Sequence, residues 1–254
     1  MRYDLTDFEW GVIEPLLPKK RRGVKPKNNR RVLNGIFWVL RTGAPWRDMP
    51  ERYGAYTTAY NRFNRWRKAG IWDRLMDAIV KAHDGKVQMI DSSIVRVHQH
   101  ASGAKKKSGD RCVGRSRGGL TTKIHARVDA QGRPIHLLIS PGNDHDIAHA
   151  EPLLDGIEQG TVVIADKGYD ADGVRACIRD QGAIPNIPNR SNRKTKFRWK
   201  KAIYRERNHV ERFFNKLKQF RRIATRYEKL GANFFAFVKL ASVRIWIRSI
   251  ESTA

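Results

Sequence analysis

Two aspartates, far apart in the chain, are well placed for chemistry on a phosphodiester. Asp91 follows the largely apolar residues 87–90, and Asp166 follows the apolar residues 162–165. Both runs indicate buried strands, and an open α/β sheet binds its ligands at the carboxyl ends of such strands. Carboxylate oxygens are the donors that Mg²⁺ prefers. For either aspartate alone, a helix N-cap or a turn is the more ordinary interpretation.

A third carboxylate lies on a predicted helix that begins at Tyr204 and ends at Lys218. At about 100° per residue, one narrow face of this helix carries Tyr204, Arg207, Glu211 and Lys218. A carboxylate flanked by cations and a phenol suits a metal ligand beside a phosphate, although a solvated charged face is a common reason for such residues. Glu206 falls on the apolar packing side. We therefore expect Glu211, and not Glu206, to join the two aspartates.

The three carboxylates and the spacing Y-x2-R-x3-E-x6-K resemble the acidic triad and signature of DDE-class transposases of bacterial insertion sequences. Three further stretches of the chain resemble one branch of that family, namely LTDFEWGVIEPLLP, RRVLNGIFWVLRTGAPWRDMPERYG and GRSRGGLTTKIHA. The resemblance therefore covers essentially the whole chain. It implies a transposase that binds the terminal inverted repeats of a mobile element and catalyses Mg²⁺-dependent DNA strand cleavage and strand transfer.

The resemblance also implies roles for the residues of the site. Asp91 is expected to bridge two Mg²⁺ ions, with Asp166 and Glu211 each holding one, and Mn²⁺ is expected to be able to replace Mg²⁺. The residues expected to contact DNA phosphates or to position the strand end are Tyr204, Arg207 and Lys218. The implied partner is double-stranded DNA, both the element ends and the target, with a homodimer forming when the ends are paired.

The composition agrees with a DNA-binding protein. The chain has 254 residues and a net charge of +26, which indicates a polyanionic partner. A ribosomal-type protein and a membrane-surface binder share this charge, but buried acidic strand ends disfavour the first and the lack of an obvious basic amphipathic anchor disfavours the second. Two cysteines without metal spacing fit a reducing compartment. With no recognisable signal peptide or transmembrane run, we expect a bacterial cytoplasmic protein associated with the nucleoid and not with a membrane.

Residues 1–85 are predicted to form an all-α, helix-turn-helix-like DNA-binding domain. A capping box at Thr6 predicts the start of its first helix, and residues 19–31 form a basic loop, which is either a phosphate contact or a solvated charge run. A basic helix over residues 57–68 is expected to present Arg62 and Arg65 to a major groove. An ordinary three-helix bundle has the same outline.

Residues 86–254 are predicted to form a mixed α/β catalytic domain. Three strands, a helix, a strand, a helix, a strand and a helix follow in the order of a ribonuclease-H-like fold, which the resemblance also implies. The apolar residues 234–250 are expected to form a helix that covers the sheet. Asp170 is interpreted as a turn or cap residue, and Asp144 or Asp146 as the N-cap of the following helix.

Two other functions are compatible with the same residues. A metal-dependent nuclease or resolvase would use the same acidic fold without strand transfer. A non-catalytic DNA-binding regulator would use the carboxylates for structure alone, which three acids at strand ends and on the helix disfavour. The family resemblance separates the transposase from the nuclease.

Overall fold

The computed structural model describes residues 3–19, 28–83, 85–102 and 112–252. The chain divides into two compact units. The helical unit consists of Met1–Lys81, His98–Arg111 and Leu217–Ala254, and the sheet unit consists of Ala82–Val97 and Cys112–Lys216. Most of the predicted basic loop at residues 19–31 lies outside the described residues. This division differs from the predicted domain boundary between residues 85 and 86, because the C-terminal segment belongs to the helical unit.

The helical unit contains the helices α1 (Asp7–Ile13), α2 (Asn29–Thr42), α3 (Tyr56–Lys68) and α4 (Ile71–Val80). The capping box at the start of α1 is confirmed, because the Glu9 N–H donates to Thr6 Oγ1 and the Thr6 N–H donates to Glu9 Oε2. The unit is completed near the C-terminus by α10 (Arg221–Ala224), β7 (Thr225–Arg226) and α11 (Gly231–Glu251), and it also includes α5 (Gln99–Ser102).

The long helix α11 packs against α1, α3 and α4. Arg244 on α11 reaches Glu9 with Nε at 2.8 Å and a terminal nitrogen at 3.0 Å, and both side chains are buried. The expectation that residues 234–250 cover the sheet is therefore wrong. The helix is buried nearly all round, as predicted, but helices supply its apolar partners.

The sheet unit contains β1 (Val87–Val97), β2 (Gly114–Ser116), β3 (Gly119–Asp129), β4 (Pro134–Pro141), β5 (Val162–Ile164) and β6 (Ile184–Asn186). These strands form a mixed sheet, in which β1 pairs antiparallel with β3 and parallel with β5. Strands β2 and β4 each pair antiparallel with β3, and strand β6 pairs parallel with β5. The order confirms the predicted mixed, ribonuclease-H-like arrangement.

Helices α6 (Ala150–Leu154) and α7 (Asp172–Asp180) lie in the connections on either side of β5. They share one buried apolar cluster with the central strands, to which Ile90 and Ala165 contribute. Neighbouring side chains of a strand point to opposite faces. Asp91, the residue after Ile90 on β1, therefore points away from this cluster. The last helical segment of this unit comprises α8 (Lys201–Tyr204), a 3₁₀ turn (Arg205–Arg207) and α9 (Asn208–Lys218).

Candidate active site

Strand register brings Asp91 and Asp166 to the same place on two neighbouring strands. Met89 on β1 pairs with Ile164, the last residue of β5, and each aspartate follows its paired residue by two positions. A separation of two residues keeps a side chain on the same face of a strand. Strand β1 continues past Asp91 to Val97, so Asp91 lies inside this strand, whereas the sequence had placed it at a strand end. It lies where the parallel neighbour stops.

The loop after β5 holds Asp166 by a short local hydrogen bond. Asp166 caps a 3₁₀ turn, and its Oδ1 accepts from the Gly168 N–H at 2.7 Å. A Cβ atom at Gly168 would lie 2.7 Å from the same oxygen, closer than real Cβ atoms approach. A side chain at this position would therefore push the Asp166 carboxylate aside, whereas glycine lets it keep its hydrogen bond to the turn.

Arg207 connects the helical segment to the first aspartate. One terminal nitrogen of its guanidinium lies 2.8 Å from Asp91 Oδ2, and the other lies 2.7 Å from Glu211 Oε1. The predicted continuous helix from Tyr204 is interrupted by a 3₁₀ turn, so the helical phase across it is only approximate. Arg207 and Glu211 still lie on one side, and Glu206 pairs with His209 at 3.2 Å instead.

The electrostatics show that the carboxylates act on one another. Burial is the main cause that raises the pKa of Asp91; Arg207 and the Ser92 N–H oppose it, the charges of Asp166 and Glu211 add to it, and the resulting pKa is about 6. Burial lowers the pKa of Arg207, but Asp91 and the other acidic groups outweigh it and raise the pKa overall. Negative charge is thus concentrated around one guanidinium group.

Tyr204 lies half-buried beside the same charges. Burial raises the pKa of Tyr204, and Asp166, Asp91 and Glu211 raise it further although Arg207 opposes them. The phenol therefore stays protonated near neutral pH and can donate a hydrogen bond. Its ring meets the Trp199 ring edge-on, with centroids 5.5 Å apart.

Lys218, the last residue of the predicted signature, ends α9 two turns after Glu211. Its side chain is partly buried, and burial lowers its pKa. Lys218 belongs to the helical unit by its contacts, and its role in binding phosphate stays a prediction.

A polar network behind Asp91 was not predicted from the sequence. The N–H of Ser92 donates to Asp91 Oδ1 at 2.8 Å, and its hydroxyl donates to Asp146 Oδ1 at 2.8 Å. The same Asp146 oxygen lies 2.9 Å from Nζ of the buried Lys123, which also donates to the Asp144 carbonyl. Neither Asp144 nor Asp146 caps the following helix with its side chain, so that interpretation is wrong. The acidic residues Asp144 and Asp146 are visible in the sequence, but they lie far from Asp91 along the chain, so their contact with its neighbour Ser92 was not foreseeable.

Asp170 is a buried ion-pair centre and not merely a turn residue. Its Oδ1 accepts from Arg175 at 2.8 and 2.9 Å and from Arg193 at 3.1 Å, and its Oδ2 accepts from the Arg190 N–H at 2.7 Å. The Arg190 side chain donates in turn to the carbonyls of Lys167 and Gly168. These contacts brace the loop that carries the second aspartate.

The predicted DNA-reading helix α3 presents only one of its two proposed arginines. Arg65 is exposed, whereas Arg62 is buried. The Arg62 guanidinium hydrogen-bonds Asn29 Oδ1 and lies over the Trp66 ring, 5.1 Å from its centroid. The expectation that Arg62 contacts DNA is therefore corrected, because the side chain packs between α2 and its own helix. A DNA-binding role for Arg65 stays a prediction.

The donor set of the sheet unit fits a divalent cation in its chemistry. Asp91, Asp166 and Glu211 offer hard oxygen atoms, and their mutual repulsion is what a bound cation would relieve. Two of their oxygens are taken by Arg207. Among the residues that the structure describes, no three His, Cys, Asp or Glu side chains are grouped closely enough to hold a metal ion.

Comparisons with known proteins agree over most of the chain. Residues 82–246 match the family model described as "Transposase DDE domain", and residues 5–76 match one described as "Putative transposase of IS4/5 family". A Brucella ovis protein, "Putative transposase for insertion sequence element IS6501", is 44% identical over 133 residues, which is 51% of this chain and 100% of that protein. The transposase for insertion sequence element IS1106 of Neisseria meningitidis is 32% identical over 128 residues, covering 48% of this chain and 42% of the relative.

A solved structure supports the fold alone. The piggyBac transposase in a synaptic complex with hairpin DNA aligns with a TM-score of 0.51 at 10% identity, covering 96% of this chain and 71% of that one. None of the helices in the described ranges is long and apolar enough to span a bilayer.

Proposed function

Since this chain belongs to the family of DDE-domain transposases, we propose that it recognises the terminal inverted repeats of an insertion sequence, cuts the DNA there in a Mg²⁺-dependent reaction, and joins the ends to target DNA. Two copies of the chain pair the ends, and the reaction takes place on the bacterial nucleoid. The observation that carries the proposal is the bridge that Arg207 makes between Asp91 and Glu211, with Asp166 near enough for its charge to raise the pKa of Asp91.

The protein contributes three carboxylates, of which the two aspartates are held in place by local hydrogen bonds. Asp91, Asp166 and Glu211 would hold two divalent cations, Mg²⁺ or in its place Mn²⁺, which would supply positive charge to stabilise an in-line displacement at phosphorus. Asp91 is held by the sheet and by the N–H of the next residue, and Asp166 is held by its turn. Such restraint keeps the donors in place before substrate arrives.

Arg207 and Tyr204 are the groups suited to contact the scissile strand. A guanidinium group matches the oxygens of a phosphate with two parallel hydrogen bonds. The protonated phenol can donate to a further oxygen. Water attack releases a 3′-hydroxyl, and that hydroxyl attacks target DNA in the second step, so no serine or tyrosine has to act as a nucleophile.

The test uses DNA cloned from both sides of the reading frame, with inverted repeats as the candidate ends. Purified protein is expected to nick this DNA in Mg²⁺ or Mn²⁺ and not in excess chelator. Asp91→Asn and Glu211→Gln should each slow cleavage by about 10³-fold, because a ligand to the charge-stabilising cation is lost. DNA binding should be retained.

Glu206→Gln is the matched control for Glu211→Gln. The two glutamates lie on the same segment and have nearly equal side-chain exposure, 56% and 54%. The control should cut DNA at close to the wild-type rate. An active Glu211 variant beside an inactive Glu206 variant would refute the assignment. Cleavage without any joined product would indicate the nuclease, and binding without cleavage the regulator.

A further inference from the structure

Arg207 supplies the positive charge between two carboxylates of the active site. Its two terminal nitrogens lie at hydrogen-bond distance from Asp91 and Glu211, which are on elements far apart in sequence. Each carboxylate therefore gives one oxygen to the same cation. A divalent ion would need oxygens from the same pair.

We propose that Arg207 competes with the divalent cation for Asp91 and Glu211, and that it releases Glu211 when the cation binds. This inference rests on the proposed function, in which both carboxylates are metal ligands. The released guanidinium is then free to bind a phosphate of the DNA strand. Arg207 thus holds the acidic groups together in the metal-free protein and becomes a substrate contact in the loaded one.

The two contacts of Arg207 differ in a way that favours release of Glu211. The Glu211 side chain is 54% exposed and pairs with Arg207 at i,i+4, an arrangement that contributes little to stability. The Asp91 side chain is only 16% exposed, so its contact with Arg207 is less screened by solvent. A cation entering from solvent therefore meets the weaker contact first.

The present contacts also leave part of the guanidinium unused. Arg207 Nε is buried and finds no hydrogen-bond partner within the described part of the chain. A buried donor without a partner carries a free-energy penalty. In the position seen here the Arg207 guanidinium leaves one of its donors without an acceptor, and the oxygens of a phosphate would supply further acceptors.

The experiment measures Mn²⁺ binding to the DNA-free protein by titration calorimetry. Arg207→Met should bind Mn²⁺ about tenfold more tightly than the wild type, because the competitor is gone. Arg205→Met is the matched control. It removes the same charge from an exposed position two residues earlier, and its affinity should change by less than about twofold. Circular dichroism confirms that both variants are folded.

A second measurement follows the wild-type protein itself, and a variant is used only to assign the signal. With ¹⁵N-labelled arginine, the Nε–H signal of Arg207, assigned with Arg207→Lys, should shift and exchange faster as Mg²⁺ is added. Equal or weaker Mn²⁺ binding by Arg207→Met, or an unchanged Nε–H signal at saturating Mg²⁺, would overturn the inference. The proposed function fails separately, if Asp91→Asn still cleaves DNA.

Discussion

Asp170→Asn is expected to lower the free energy of unfolding of the sheet unit by about 3–5 kcal/mol, the range for breaking a buried ion pair by removing one partner. The Asp170 side chain is fully buried and Arg175 is 1% exposed. Asparagine keeps one acceptor oxygen but loses the charge, and its amide group would face the Arg190 N–H, which is also a donor. The buried guanidinium of Arg175 would then lack a counter-charge.

The stability difference between the wild type and Asp170→Asn should also depend on pH, and the pKa of Asp170 sets the direction of that dependence. Burial alone would raise the pKa of Asp170, but the Arg190 N–H and the guanidinium groups of Arg175 and Arg193 outweigh it and lower the pKa. A carboxylate with a lowered pKa in the folded state contributes stability above its unfolded-state pKa of about 3.9, and the contribution is lost as the pH falls through the folded-state value. The difference between wild type and Asp170→Asn should therefore be constant near neutral pH and shrink below about pH 4.

Urea denaturation followed by circular dichroism measures this difference, and Asp172→Asn is the control. Asp172 also pairs with Arg193, but its side chain is 79% exposed, so its loss should change stability by no more than about 1 kcal/mol. Equal midpoints for the two variants would refute the buried-charge reasoning. Because the same contacts brace the loop of Asp166, Asp170→Asn should also slow DNA cleavage under conditions where it is still folded.

Three further predictions test how the site and the DNA-binding helix are held. Gly168→Ala should slow cleavage by up to about 10²-fold at unchanged DNA affinity, since the added methyl displaces the Asp166 carboxylate; a wild-type rate would show that the turn is not required. Asp146→Ala should lower the unfolding free energy by about 1.5–3 kcal/mol, as measured by urea denaturation, because a buried lysine loses its carboxylate partner and a serine hydroxyl loses its acceptor. Arg65→Gln should weaken DNA binding and reduce its salt dependence by about one counterion, whereas Arg62→Gln should chiefly lower the thermal midpoint; the reverse pattern in filter binding and melting would contradict the burial of Arg62.

Local patterns in the sequence were sufficient for many of the elements, and they also gave the choice of acidic residues, which stays a prediction. Apolar runs predicted the strands before Asp91 and Asp166, and the capping box predicted the start of α1, because strand and helix periodicities and caps depend on residues a few positions apart. Helical phase also separated Glu211 from Glu206. It did so despite the 3₁₀ turn, because the few residues between Arg207 and Glu211 are regular helix.

Only the tertiary structure decided what those residues touch. The register between β1 and β5, which aligns the two aspartates, is set by contacts across strands that are far apart in the chain. Helical phase gives the angle of a side chain about its own axis but not the element that it faces, so the bridge from Arg207 to Asp91 was not foreseeable. Burial is likewise set by distant neighbours. Basic and acidic side chains such as Arg62 and Asp170 look solvent-exposed in sequence, yet the fold supplies partners that make their burial favourable.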